Sequence, residues 1–265
     1  MAQTNSCPIL DAMFSNAIRQ TIHPATWAVV GYETGLMGEV MGHRGTAFAV
    51  DQLGHLVTCW HVTFMDKECT RDVQRFSVVQ PERDVKAVYP ATLIARDKDA
   101  DIAVLKIEKP AGGMQWAKMH GGETVRWGTS CCAFGHPLSI ASKDQIRIFT
   151  RAGSGILSTP MLSPRFENCR PIRIYEVDFF THGGMSGGPL FLRDGLVFGV
   201  VSGSRMLDGD NGTQVRSNLS IATDVVEVVK LLESLGIKPQ LGPQVGRNVV
   251  PEKPGHGKPR RGGRR

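Results

Sequence analysis

Aromatic residues make up only 7% of this 265-residue chain, with three tyrosines and four tryptophans. No apolar run approaches the roughly 20 residues needed to cross a membrane as a helix, so no transmembrane segment is expected. The six cysteines (Cys7, Cys59, Cys69, Cys131, Cys132, Cys169) are irregularly spaced. They form no CxxC pair and no Cys/His cluster of zinc-ligand spacing, so no metal is expected, and no other cofactor is called for. Adjacent Cys131 and Cys132 would point to opposite faces of a strand and so do not bond each other. The N-terminus lacks the long apolar core of a signal peptide. Free thiols in a reducing compartment, and a cytoplasmic location, follow as expectations.

Glycine, by contrast, is abundant, at 30 residues. Many glycines with few aromatics suit short strands joined by tight turns better than a helical bundle. Strand-like runs recur at Trp27–Tyr32, Gly45–Val50, Leu56–Trp60, Ala87–Ile94, Ile146–Thr150, Ile172–Val177 and Leu196–Val201. At 41% hydrophobic residues the chain can bury a large core.

Two segments have helical spacing instead. Ile9, Leu10, Met13, Phe14, Ala17 and Ile18 form one stripe behind Ser6 as cap and Pro8 in the first turn. This N-terminal helical extension, residues 1–25, is expected to pack on the body or on a partner subunit. Asp224 to Leu235 alternates at helical spacing and stops at Gly236.

Beyond Gly236 five prolines interrupt the chain, which closes on Arg260-Arg261-Gly262-Gly263-Arg264-Arg265. Composition predicts a disordered basic tail over 236–265. Its eight basic residues against Glu252 alone carry +7 of a chain whose net charge is +6, so the rest sits near −1. The basic pI therefore says nothing about nucleic acid on the body. The tail offers a nonspecific contact for nucleic acid or anionic lipid, or serves only as a solubilising end.

Chemistry concentrates in Thr181-His182-Gly183-Gly184-Met185-Ser186-Gly187-Gly188-Pro189-Leu190. A serine sits here in a glycine-rich turn leading into an apolar strand. A hydroxyl nucleophile needs a base and donors for the oxyanion it creates. The amides of Gly184 and Ser186 are placed to be those donors. Upstream, His61 ends an apolar strand at the mouth of a hairpin turned at Asp51–Gly54. Asp101 immediately precedes the apolar run Ile102–Ile107, where burial would demand a partner such as an imidazole N–H. Asp99, farther from that run, reads as a solvated turn acid.

Thr46-Ala47-Phe48 with Leu56-Val57-Thr58 and His61-Val62, then Asp101-Ile102-Ala103-Val104-Leu105, then Gly184-Met185-Ser186-Gly187-Gly188-Pro189-Leu190, resemble a trypsin-like serine protease of the HtrA/Deg type. Gly128 to Pro137 resembles the opening strand of that family's second barrel. The resemblance covers about residues 26–234. It implies an all-β, chymotrypsin-like double six-stranded barrel with an N-terminal and a C-terminal helix. The protease domain would span 26–235, with barrels over about 26–115 and 120–221 and a helix over 224–235. It also implies roles: His61 as general base, Asp101 as its orienter, Ser186 as nucleophile, and Gly184 and Ser186 as oxyanion hole. Met185 stands where secreted trypsins keep an activating Asp, so that zymogen route is not expected. No PDZ-sized segment follows the protease-like region, a departure from the usual HtrA plan.

The same resemblance puts Phe179, Phe180, Thr181 and His182 on one wall of the primary pocket, with Ser202, Gly203 and Ser204 opposite. No acid lies at the pocket floor, so cleavage after small or aliphatic residues is expected. Val201-Ser202-Gly203 would pair with an extended substrate as a strand. The expected function is a serine endopeptidase acting on polypeptides, compatible with an oligomer. Its rivals are a catalytically idle protease-fold binding protein, a nucleic-acid-associated factor working through the tail, and an esterase.

Overall fold

The computed structural model describes residues 14–242 apart from 36–37, 67, 82–87, 122–123, 142–145 and 209–213. Fourteen strands form two closed antiparallel barrels and one small hairpin. The first barrel uses β1 (Thr26–Gly35), β2 (Gly38–Ala49), β3 (His55–Thr58), β4 (Arg75–Val79), β5 (Val88–Asp97) and β6 (Ile102–Ile107), in the order β1-β2-β3-β6-β5-β4. The second uses β7 (Ser130–Gly135), β10 (Arg151–Ser163), β11 (Ile172–Val177), β12 (Pro189–Phe191), β13 (Val197–Asp208) and β14 (Gln214–Asp224), in the order β10-β11-β14-β13-β12-β7. Between them, β8 (Ile140–Ala141) and β9 (Ile146–Arg147) make a separate hairpin. The run Ile146–Thr150 is thus not a barrel strand: two of its residues pair only with β8, and Phe149 and Thr150 are exposed.

The short strands are apolar because closed barrels fill their interiors with side chains. In β6, Ile102, Ala103, Val104, Leu105 and Ile107 are all buried, whereas β5 alternates in its exposure. The adjacent cysteines separate as the pleat requires. Cys131 joins the second barrel's interior with Leu157, Tyr175 and Phe198, and Cys132 faces the other core with Phe134 and Phe191. All five cysteines among the described residues are free thiols; Cys7 lies outside them.

Of the N-terminal helical stripe, the part before Phe14 lies outside the described residues. Phe14 and Ala17 are buried, and the Phe14 ring meets Phe191 of β12 edge-on at 5.9 Å. The C-terminal helix, Val225–Ser234, is capped by the Asp224 carboxylate, which accepts from the Val226 amide at 2.9 Å. Losing such a cap typically costs about 1 kcal/mol. Val225, Val228 and Leu232 bury its inner face. Gly236, at φ +72°, ends it, with the Ile237 amide returning to the Leu232 carbonyl at 2.9 Å. Composition placed the tail from 236 onward, yet 236–242 is held. Ile237 packs on the core, and the Gly242 amide donates to the Met119 carbonyl at 2.8 Å. The basic residues from Arg247 on lie outside the described residues.

Candidate active site

His61 opens a single 3-10 turn, His61–Thr63, immediately after β3. Asp101 closes the turn between β5 and β6, in the left-handed region at φ +54°. Aspartate tolerates that conformation better than most residues. The two elements adjoin because β3 and β6 pair directly, Thr58 opposite Ala103. The His61 Nδ1 lies 2.9 Å from both carboxylate oxygens of Asp101, and the His61 amide donates to Oδ1 at 3.1 Å. Asp101 is fully buried, while His61 keeps about 29% of its side chain exposed. Burial alone would push the Asp101 carboxyl up. The facing His61, then Arg165 and the Ser202 hydroxyl, hold it below the usual carboxylate range.

Ser186 comes from the second barrel, in the turn before β12, and its hydroxyl points to the Ser202 carbonyl at 3.5 Å. Among the described residues it makes no hydrogen bond to His61. Such contacts are often long in an unliganded site. The turn's geometry accounts for its glycines. The Met185 amide donates to the His182 carbonyl at 3.0 Å, with Gly184 at φ +96° inside that turn. The Gly183 carbonyl is held by the Leu138 amide at 3.3 Å. Since N–H and C=O of one trans peptide point in opposite directions, the Gly184 N–H faces away from that anchor. Neither it nor the Ser186 N–H donates to any acceptor among the described residues. Two unengaged amides are what an oxyanion site requires. Met185 is buried in the second barrel's core, where an activating Asp would have no apolar role.

The trypsin-like peptidase domain family matches residues 45–200, more than half of the chain. The chain belongs to the trypsin-like peptidase family.

Several of the chain's relatives are of the HtrA/Deg kind. It is similar to Protease Do-like 5, chloroplastic, of Arabidopsis thaliana, 28% identical over 71% of this chain and 56% of the relative. Serine protease HTRA2, mitochondrial, of Drosophila pseudoobscura pseudoobscura is 26% identical over 73% of this chain and 39% of the relative. The chain thus spans about two fifths to a little over half of the length of these relatives. Among solved structures, an HtrA-type protease, AlgW, with a tripeptide superposes at TM-score 0.62, with 21% identity, covering 84% of this chain and 63% of that one. That degree of likeness carries the fold.

The residues expected to form a pocket wall are only partly brought together. The Thr181 amide and hydroxyl both donate to the Ser220 hydroxyl at 2.9 Å, and Ser220 donates to the Phe179 carbonyl at 2.8 Å. Ser204 donates to the Thr181 carbonyl at 3.3 Å. His182 stacks edge-on with Phe180 at 4.8 Å and meets Arg151 at 3.1 Å, at the surface. Gly203 borders open space, with no atom within 4 Å of where a side chain would start. The Ser202 side chain, by contrast, does not line the pocket. Its hydroxyl donates to Asp101 Oδ2, because a bulge between Val201 and Gly203 takes it out of the ladder with β14. Asp99 is ion-paired with Arg170 at 3.4 Å and makes no hydrogen bond or ion pair with His61.

Cys59, His61 and Asp101 are the one group among the described residues whose metal-ligating atoms converge, within 4.8 Å. A cation there would have to displace the His61–Asp101 hydrogen bonds and a thiol that burial holds well above its ordinary range. Ser220 behind Thr181 and Arg165 beside Asp101 carry no sequence signal, and Thr46, though part of a recognised motif, shows its hold on the serine turn only in the structure. All three act through contacts dozens of residues away along the chain, which no local motif records.

Proposed function

We propose that the chain is a serine endopeptidase. His61 takes the Ser186 proton as the hydroxyl attacks a peptide carbonyl, and returns it to the leaving amine. Asp101 holds the imidazole with Nδ1 protonated and stabilises the imidazolium. The Gly184 and Ser186 amides receive the oxyanion, and water then hydrolyses the acyl-enzyme. The observation that carries this reading is the buried Asp101 carboxylate gripping His61 Nδ1 at 2.9 Å beside a serine turn whose amides are unengaged.

Polypeptides are the substrate class, bound as an extra strand along 201–203, where the Ser202 carbonyl is free of the ladder. With Thr181 and Ser204 on the proposed pocket wall, Ser220 behind Thr181, and no acid among them, the residue before the cleaved bond is small or aliphatic. Hydrolysis of a peptide library tests both parts. Cleavage that vanishes in Ser186→Ala supports the enzyme. Cleavage of esters alone, or none, returns the protein to the esterase or the idle binding reading.

A further inference from the structure

The segment 164–171, between β10 and β11, reaches from the second barrel to the acidic turn of the first and touches it at two points. At one end Arg165 Nη2 lies 4.0 Å from Asp101 Oδ2 and donates to the Ser202 hydroxyl. That hydroxyl in turn donates to the same carboxylate oxygen. At the other end Arg170 pairs with Asp97 at 3.2 Å, Asp99 at 3.4 Å and Glu227 at 2.9 Å. Between them the Phe166 ring stacks on Trp60, the neighbour of His61, at 5.2 Å. The Arg165 side chain is about 11% exposed, and its Nε is buried without a hydrogen-bond partner. Burying a guanidinium with an unmet donor is costly unless a charge nearby compensates. The carboxylate that compensates is Asp101.

We propose that Arg165 is a positioning residue for the triad, fixing Asp101 Oδ2 through Ser202 and tempering, by its charge, how strongly that carboxylate draws a proton onto His61. The inference rests on the reading of His61 as general base. A guanidinium keeps its charge throughout the working pH range. Placed beside the acid, it offsets part of the negative field with which Asp101 faces the imidazole. Among the described residues, no other Lys or Arg lies within 4 Å of the Asp101 carboxylate. Cys59 after β3 and Cys69 before β4 are thiols that burial pushes up, and so neutral. On the acid's own turn, Asp97 and Asp99 are engaged by Arg170, and Lys98 lies over the Trp60 ring at 5.7 Å.

The test is the pH profile of peptide hydrolysis by wild type, Arg165→Met, Arg165→Gln and Arg165→Lys. Gln keeps a donor for Ser202 and serves if Met does not fold. The acidic limb is expected to move up by about 0.5–1 pH unit in Met and Gln, from the loss of one charge at this range, and to return in Lys. A role confined to folding would lower the plateau without moving the limb. A limb that stays in place in a folded neutral variant overturns the inference while leaving the enzyme reading intact. A wild type without Ser186-dependent hydrolysis at any pH overturns that reading, and this inference with it.

Discussion

The Thr46 hydroxyl on β2 donates a 2.7 Å hydrogen bond to the Gly184 carbonyl, fastening the first barrel to the serine turn of the second. The same residue's amide donates to the Ser186 carbonyl at 2.8 Å, and its hydroxyl accepts from the His136 amide at 2.9 Å. One threonine thus fixes both residues whose amides are proposed to bind the oxyanion. Thr46→Val preserves shape and removes the two hydroxyl bonds, to the Gly184 carbonyl and from the His136 amide, while the amide bond to Ser186 stays. The expected outcome is a kcat lower by about 10–100-fold with little change in KM, an effect of the size seen when oxyanion donors are disturbed. Thr46→Ser should recover most of it. Steady-state peptide hydrolysis by the two variants is the measurement.

Gly187 is the position in the serine turn least open to a side chain. Its φ is +86°, and a Cβ there would come 2.0 Å from the Thr46 carbonyl and 2.3 Å from the Thr58 hydroxyl. Neither neighbour is a flexible side-chain end that can swing aside. Gly187→Ala should destabilise the fold by about 2–4 kcal/mol, from left-handed strain together with the clash. Thermal unfolding of purified protein reads this directly, and a melting temperature matching wild type would contradict it.

Two buried histidines stand behind the serine turn. Burial lowers His43 to about 4 and His136 to about 3, and each ring has an Nε2 without a partner. Both are neutral in the folded chain at pH 6, while the unfolded chain takes up protons below about 6.5. Their contribution to stability is therefore complete above about pH 6.5 and is lost as pH falls toward 4 and 3. Denaturant unfolding from pH 7 to pH 4 should show stability falling by several kcal/mol, and His136→Gln should flatten the slope. A slope unchanged by that substitution would contradict the assignment.

Asp101→Asn leaves the shape of the site but offers His61 Nδ1 a poorer partner and removes the charge that stabilises an imidazolium. A fall in kcat of about 10⁴ is expected at neutral pH, the size found for this change in another enzyme of this chemistry. Asp99→Asn, whose carboxylate pairs at the surface with Arg170, should keep activity within about threefold, as exposed ion pairs contribute little. Kinetics on the two variants side by side separate the two acids.

The proposed selectivity rests on a pocket wall carrying Thr181 and Ser204, with Ser220 behind Thr181. With no carboxylate facing the pocket among these residues, a peptide presenting Arg or Lys there would bury an unpaired cation. Substrates with Ala or Val at that position should exceed those with Arg by at least about 100-fold in kcat/KM. Matched peptides differing at one position provide the comparison.

Much of this site was legible because its chemistry sits on short local patterns. His61 ends an apolar strand, Asp101 precedes another, and Ser186 lies among glycines that a tight turn requires. The double barrel followed from the order of those motifs and the resemblance they carry. What stayed hidden depends on register across the barrels. Ser202 looked like a pocket residue because its neighbours are, and only the bulge at 201–203 turns its hydroxyl to Asp101. Ile146–Thr150 had strand composition but no barrel neighbour to pair with. Residues 236–242 had tail composition, yet Ile237 and the bonds to Met119 hold them.

The central claim is that Ser186 is a nucleophile activated by His61 and Asp101. Treatment with a fluorophosphonate, followed by mass spectrometry of the digested protein, tests it most directly. A single adduct on Ser186 is expected, absent in Ser186→Ala and formed at least about 100-fold more slowly in His61→Ala. A wild type that stays unlabelled across the pH range, or an adduct on another residue that persists in Ser186→Ala, would contradict it.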